Sequence, residues 1–116
     1  MLHASCVISA GAVLEENVVV HSFATISGTP QYLKYDPATR SGVRVGARTV
    51  VRESVTLSRS VANGGLTVIG RECFLMANAH VGHDCTLGDR VVMANGAMLA
   101  GHCTLGDDVF LGGGCA

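Results

Sequence analysis

The sequence predicts an all-β protein, a parallel β-helix of hexapeptide repeats with three hexads to a coil. Two positional patterns and the composition predict it. From Ile69 onward a large aliphatic residue returns at every sixth position: Ile69, Leu75, Val81, Leu87, Met93, Leu99, Leu105 and Leu111. Four residues after each stands a second, mostly smaller inward candidate: Cys73, Ala79, Cys85, Val91, Ala97, Cys103, Val109 and Cys115. A period of six fits neither a helix nor a simple two-residue alternation, but it suits a coil in which each hexad is one short strand plus a corner. With no Trp, two Tyr and three Phe among 116 residues, the core must be a narrow one of Val, Leu, Ile and Ala. Three hexads close a coil of about 18 residues, and its rungs stack at about 4.8 Å.

Taken in order, the chain opens on the same repeat in another register. Leu2, Ile8, Leu14, Val20 and Ile26 are six apart, with Cys6, Ala12, Val18 and Ala24 at the small position. The period then fails between Thr29 and Val43. The segment from Thr29 to Arg40 holds both prolines, both tyrosines and the sole lysine, so it reads as a loop thrown out of a corner, where rigid scaffolds often carry function. Val45, Val51 and Leu57 resume the period. The next hexad, Asn63 to Val68, sets a polar residue where an aliphatic belongs, and reads as a degenerate corner or a second small loop. The whole of 1–116 is therefore expected to form a single β-helix domain with one loop excursion at about 29–43.

Composition narrows the function classes. Fifteen glycines against two prolines suit tight corners repeated many times, because glycine reaches positive φ cheaply. The net charge of −1 argues against nucleic acid as an obligatory partner. No apolar run approaches the ~20 residues of a membrane span and no signal peptide is visible, so no integral membrane segment is expected. Cys6, Cys73, Cys85, Cys103 and Cys115 all fall at the small inward position, with no Cys-x-x-Cys pair. They are expected to be free, unreactive core thiols of a cytoplasmic protein.

Three of the five histidines stand out. His3 and His21 occupy outward positions. Because residues three hexads apart stack on one face, His83 lies one rung from Gly101 and Asp84 one rung from His102, with His80 just before the same corner. Imidazoles, a carboxylate and a glycine amide thus gather at one edge. Such a group can perform general-base chemistry: a neutral imidazole takes a proton, the aspartate orients the ring and a free N–H stabilises an oxyanion. The spacing equally admits three solvated corner histidines, or a zinc site made of His80, His83 and His102.

Several segments match a known family. Asn78-Ala79-His80-Val81-Gly82-His83-Asp84-Cys85-Thr86-Leu87-Gly88 and Leu99-Ala100-Gly101-His102 strongly resemble the acyl-[acyl-carrier-protein]–UDP-N-acetylglucosamine O-acyltransferases of lipid A biosynthesis, within the hexapeptide-repeat acyltransferases. So do Leu33-Lys34-Tyr35, Arg52-Glu53-Ser54-Val55-Thr56 and Gly64-Gly65-Leu66-Thr67. The resemblance implies a left-handed coil, a homotrimer, and transfer of a 3-hydroxyacyl group from acyl carrier protein to the glucosamine 3-hydroxyl without cofactor or metal. By position it makes His83 the general base, Asp84 its orienting partner and Gly101 the oxyanion amide. It places His80, His102 and Lys34 around the substrate.

The departures matter too. Tyr32 stands in the substrate loop where the family usually has an aspartate, and Ser58 where a histidine is common. The family has further coils before the position of Met1, and after Ala116 more coils and a helical domain, so a fragment or a compact descendant is expected. Two other classes stay open: a non-catalytic relic or binding module, and another hexapeptide enzyme, either a coenzyme A-dependent acetyltransferase or a zinc-dependent hydratase.

Overall fold

The computed structural model describes residues 1–114, and within them the chain forms fifteen short parallel strands in three five-stranded sheets. The first sheet stacks β1 (Val7–Ile8), β4 (Thr25–Gly28), β7 (Thr56–Ser58), β10 (His80–Val81) and β13 (Met98–Leu99). The second stacks β2 (Ala12–Leu14), β5 (Gly42–Val45), β8 (Leu66–Ile69), β11 (Thr86–Leu87) and β14 (Thr104–Leu105). The third stacks β3 (Val19–Val20), β6 (Val50–Val51), β9 (Phe74–Leu75), β12 (Val92–Met93) and β15 (Phe110–Leu111). The chain visits the sheets in turn, winding a left-handed parallel β-helix, the hand opposite to that of nearly all other parallel crossovers.

The sixth-position residues form the core. Ile26, Leu57 and Val81 stack on the first sheet, Val45, Ile69 and Leu87 on the second, and Val51, Leu75 and Met93 on the third, all but sealed from solvent. Ala24, Val55, Ala79, Cys85, Val91 and Ala97 fill the corners between them. On the first described coil the same positions are less enclosed, with Leu2 54% and Ile8 37% exposed.

The corners differ from expectation. Among the described residues the glycines with positive φ are Gly11, Gly64, Gly96 and Gly114, whereas twelve non-glycine residues share it, among them Phe23 (64°), Arg48 (61°), Glu72 (56°), Asp84 (62°) and His102 (62°). Nearly all precede the small inward residue. A left-handed residue costs about 1–2 kcal/mol, while burying one large aliphatic per hexad contributes about 1.5–3 kcal/mol. Packing therefore imposes the corner on whatever side chain stands there, and glycine is not needed to supply it.

The cysteines divide in the same way. Cys73 and Cys85 are buried, their thiols bonded to the Gly88 and Ala100 carbonyls, and burial pushes both pKa values up. Cys6 and Cys103 are only half-buried, which corrects the expectation that all five line the sealed interior. Cys115 lies outside the described residues. Under native conditions Cys6 and Cys103 are expected to react with a thiol reagent well before Cys73 and Cys85, as mass-resolved labelling would show; simultaneous labelling would contradict this burial.

Candidate active site

The register brings the candidate site residues to a single corner. On the first sheet Val81 pairs with Leu99, one coil further along the chain, but Leu57 pairs with Val81 across a coil and an additional hexad, and Ile26 with Leu57 across a longer excess still. One extra hexad therefore leaves the coil after β7, and a longer segment leaves it after β4. Both loops leave from the edge between the first and second sheets. On the next two rungs that same edge carries His83-Asp84 and then Gly101-His102.

The loops brace each other there. The Arg40 amide donates to Asn63 Oδ1 at 2.8 Å, the Ser41 hydroxyl to the Ser60 carbonyl at 2.5 Å and the Gly64 amide to the Arg40 carbonyl at 2.8 Å. Arg59 reaches back to the Tyr35 hydroxyl at 3.0 Å and to the Ser27 carbonyl at 2.9 Å. The longer loop is thereby held over the corner.

His83 is largely enclosed, its side chain 13% exposed, and its Nδ1 lies 2.9 Å from Asp84 Oδ2. Burial works to raise the Asp84 pKa, but the Ser60 hydroxyl, His83, the Val61 amide and His102 outweigh it and hold the carboxyl below its ordinary value. An ionised carboxylate only accepts, so the His83 Nδ1 must donate, and in the neutral ring Nε2 keeps a free lone pair. That nitrogen faces Gly101. A Cβ there would lie 2.4 Å from both Cε1 and Nε2 of His83, so glycine is what leaves the ring its place. Among the described residues the Gly101 amide enters no backbone hydrogen bond of the coil.

The ring of His102 meets that of His83 edge-on with centroids 5.0 Å apart, and its Nε2 lies 4.0 Å from Asp84 Oδ2. A cavity of about 370 Å³ opens beside them, lined by His80, His83, Ser58, Gly101, Met98 and Gln31 among others.

Known proteins resemble the chain along most of its length. Residues 66–101 match the family described as bacterial transferase hexapeptide (six repeats). An acyl-[acyl-carrier-protein]–UDP-N-acetylglucosamine O-acyltransferase from Agrobacterium fabrum is 41% identical over 111 residues, 95% of this chain and 41% of that protein. The chain is related to part of the UDP-N-acetylglucosamine O-acyltransferases. One so named from Caulobacter vibrioides is 44% identical over 89 residues, 76% of this chain and 34% of its own. The crystal structure of a UDP-N-acetylglucosamine acyltransferase from Bacteroides fragilis superposes with a TM-score of 0.89 at 28% identity, covering 94% of this chain and 42% of that one. The chain thus spans between about a third and two fifths of the length of these acyltransferases.

Of the site residues read from the sequence, the fold gathers His83, Asp84, Gly101 and His102 at one point, with His80 and Ser58 in the adjoining cavity wall. Tyr32 packs its ring 5.5 Å from that of His83, centroid to centroid. Lys34 is on the exposed part of the loop and, among the described residues, forms no ion pair with the cluster. A zinc set of His80, His83 and His102 is not what the fold gathers among the described residues: His80 stands outside the group whose ligand atoms converge, its Nδ1 2.6 Å from the Thr56 hydroxyl. The described residues best placed for a divalent ion are His83, Asp84 and His102, whose ligand atoms lie within 4.8 Å of one another. Sequence reasoning missed Gln31, Met98 and Ser60. Met98 was within reach, since it pairs with His80 one coil away.

Burial lowers the His80 pKa, the Thr56 bond opposing it, and burial together with His3 and Arg52 lowers that of His21. Below about pH 6.5, the ordinary histidine value, the unfolded chain takes up protons that the folded chain resists. Stability from these groups is therefore complete above that pH and lost as pH falls through their depressed folded values; the lowered Asp84 pKa adds a further loss at more acidic pH. Melting at pH 7.5 and 5.5 is expected to show the drop, and His80→Gln to shrink it. Equal melting temperatures would contradict the shifts.

Proposed function

We propose that this coil carries the acyl-transfer site of a UDP-N-acetylglucosamine O-acyltransferase of lipid A biosynthesis. In this reading His83 Nε2 removes the proton from the sugar 3-hydroxyl, and the oxygen attacks the thioester of a 3-hydroxyacyl group carried by acyl carrier protein. Asp84 holds the ring in its Nδ1–H tautomer and steadies the imidazolium that forms. The Gly101 N–H receives the developing oxyanion, and His83 then returns its proton to the departing thiolate. His80, His102, Ser58, Tyr32 and Lys34 contact substrate. The reaction needs no cofactor and runs, in this reading, in the cytoplasm. The observation that carries the reading is the His83 ring, bonded to Asp84 on one nitrogen and open against Gly101 on the other.

A homotrimer goes with this reading. The third sheet turns an outward column of Val19, Val50, Phe74, Val92 and Phe110 to its surface, with Phe110 68% exposed, and a neighbouring copy would bury it. Light scattering should give three chains per particle, and a stable monomer at micromolar concentration would overturn the assembly.

The position of Tyr32 favours a second reading, a sugar-binding module without turnover. Its ring occupies space beside the base and supplies no carboxylate. Thioester consumption with 3-hydroxyacyl carrier protein and UDP-N-acetylglucosamine decides between the two. Turnover lost in His83→Ala supports the enzyme; binding of the sugar nucleotide without turnover supports the module.

A further inference from the structure

The hexad inserted after β7 does more than bridge two strands. Ser60, fully buried, donates its hydroxyl to Asp84 Oδ1, and the next residue, Val61, donates its amide to Asp84 Oδ2 at 3.2 Å. The Ala62 amide donates to Ser60 Oγ at 3.0 Å, occupying an acceptor site and leaving the one hydroxyl proton to point at the carboxylate. Thr67 completes the grip, its Oγ1 accepting the Asp84 amide at 2.9 Å. Among the described residues Ser60 is the side chain that holds Oδ1, while Oδ2 is left to Val61 and His83.

The surroundings are built around that hydroxyl. A Cβ at Gly65 would lie 2.2 Å from Ser60 Oγ and 2.8 Å from its Cβ, so the glycine clears the space Ser60 fills. The Ser41 hydroxyl, from the longer loop, holds the Ser60 carbonyl at 2.5 Å. The loop bearing Tyr32 and Lys34 is thus joined to the catalytic carboxylate through one serine.

We propose that Ser60 is a positioning residue: by fixing the rotation of the Asp84 carboxylate it locks His83 in the Nδ1–H tautomer. Without the hydroxyl, Oδ1 loses its donor, the carboxylate turns toward His102 or solvent, and the His83 ring is free to exchange tautomers. The proposal rests on the acyl-transfer reading for its kinetic consequence alone.

The test is ¹⁵N-histidine NMR of the full chain at one neutral pH, for wild type, Ser60→Ala and Gly65→Ala, with melting curves alongside. Wild-type His83 is expected to be almost wholly the Nδ1–H tautomer. In both variants the tautomer ratio is expected to fall about tenfold, as loss of a hydrogen bond to a charged group implies. Gly65→Ala keeps the hydroxyl but displaces it, so a matching result identifies placement as the cause. A merely structural serine would lower the melting temperature and leave the tautomer unchanged, and that result in a folded variant overturns the proposal. Should Ser60→Ala fail to fold, the nearly isosteric Ser60→Cys, a weaker donor, takes its place under the same criterion. If the chain turns over, kcat is expected to fall about tenfold with KM within twofold. A tautomer shift in a chain without turnover supports the role of Ser60 while removing the enzyme reading.

Discussion

Replacing His83 with alanine is expected to lower the proposed acyl transfer by about 10²–10⁴-fold, the usual worth of general-base assistance, while the coil stays folded. The fold should tolerate the change because His83 lies outside the core: its neighbours on the rung, Val81 and Cys85, are the residues that point inward. Asp84 would lose one partner but keep the Ser60 hydroxyl and the Val61 amide, so no naked carboxylate is left behind. His3 and His21, stacked on each other with centroids 4.3 Å apart elsewhere on the coil, provide the control. Their replacement should leave the rate within twofold. A His83→Ala protein as active as wild type would remove the mechanism.

The second large effect is expected at Gly101. Alanine there sets a methyl 2.4 Å from Cε1 and Nε2 of His83, closer than carbon and nitrogen can approach, so the ring must leave its place against Asp84 or the rung must shift. A displacement of about 1 Å at a reacting nitrogen can cost on the order of 10²-fold, and the amide that would receive the oxyanion moves with it. Gly101→Ala should therefore depress kcat by about 10²-fold or more and also lower the melting temperature. The two changes are coupled through one contact. In the double variant His83→Ala, Gly101→Ala the clash is gone, so most of the stability lost in Gly101→Ala should return. Additive losses of stability would show that the steric conflict lies elsewhere.

How far the sequence leads depends on whether a pattern is local or arises from stacking. The hexad period alone determined the architecture and nearly every core residue, from Val20 to Leu99, because a narrow coil has two inward positions per hexad and polar residues at them are costly. The same count placed His83 beneath Gly101 and Asp84 beneath His102, since three hexads return the chain to the same face. Hand lay beyond the period, which is the same for either sense of winding, and came with the resemblance.

The corners were misread because positive φ is imposed by the packing of neighbouring rungs, which makes Asp84 and His102 turn where glycine would do so more cheaply. The second loop was nearly invisible for a simple reason. Inserting one whole hexad preserves the period, so Leu57 and Ile69 stay in phase although that hexad has left the coil between them, with Asn63 as its sole trace. Only the tertiary structure shows that this loop and the longer one leave from the same edge as the histidines. Only there does Ser60 meet Asp84, because residues separated by a coil and a further hexad come together once that hexad is folded out and the rungs close beneath it.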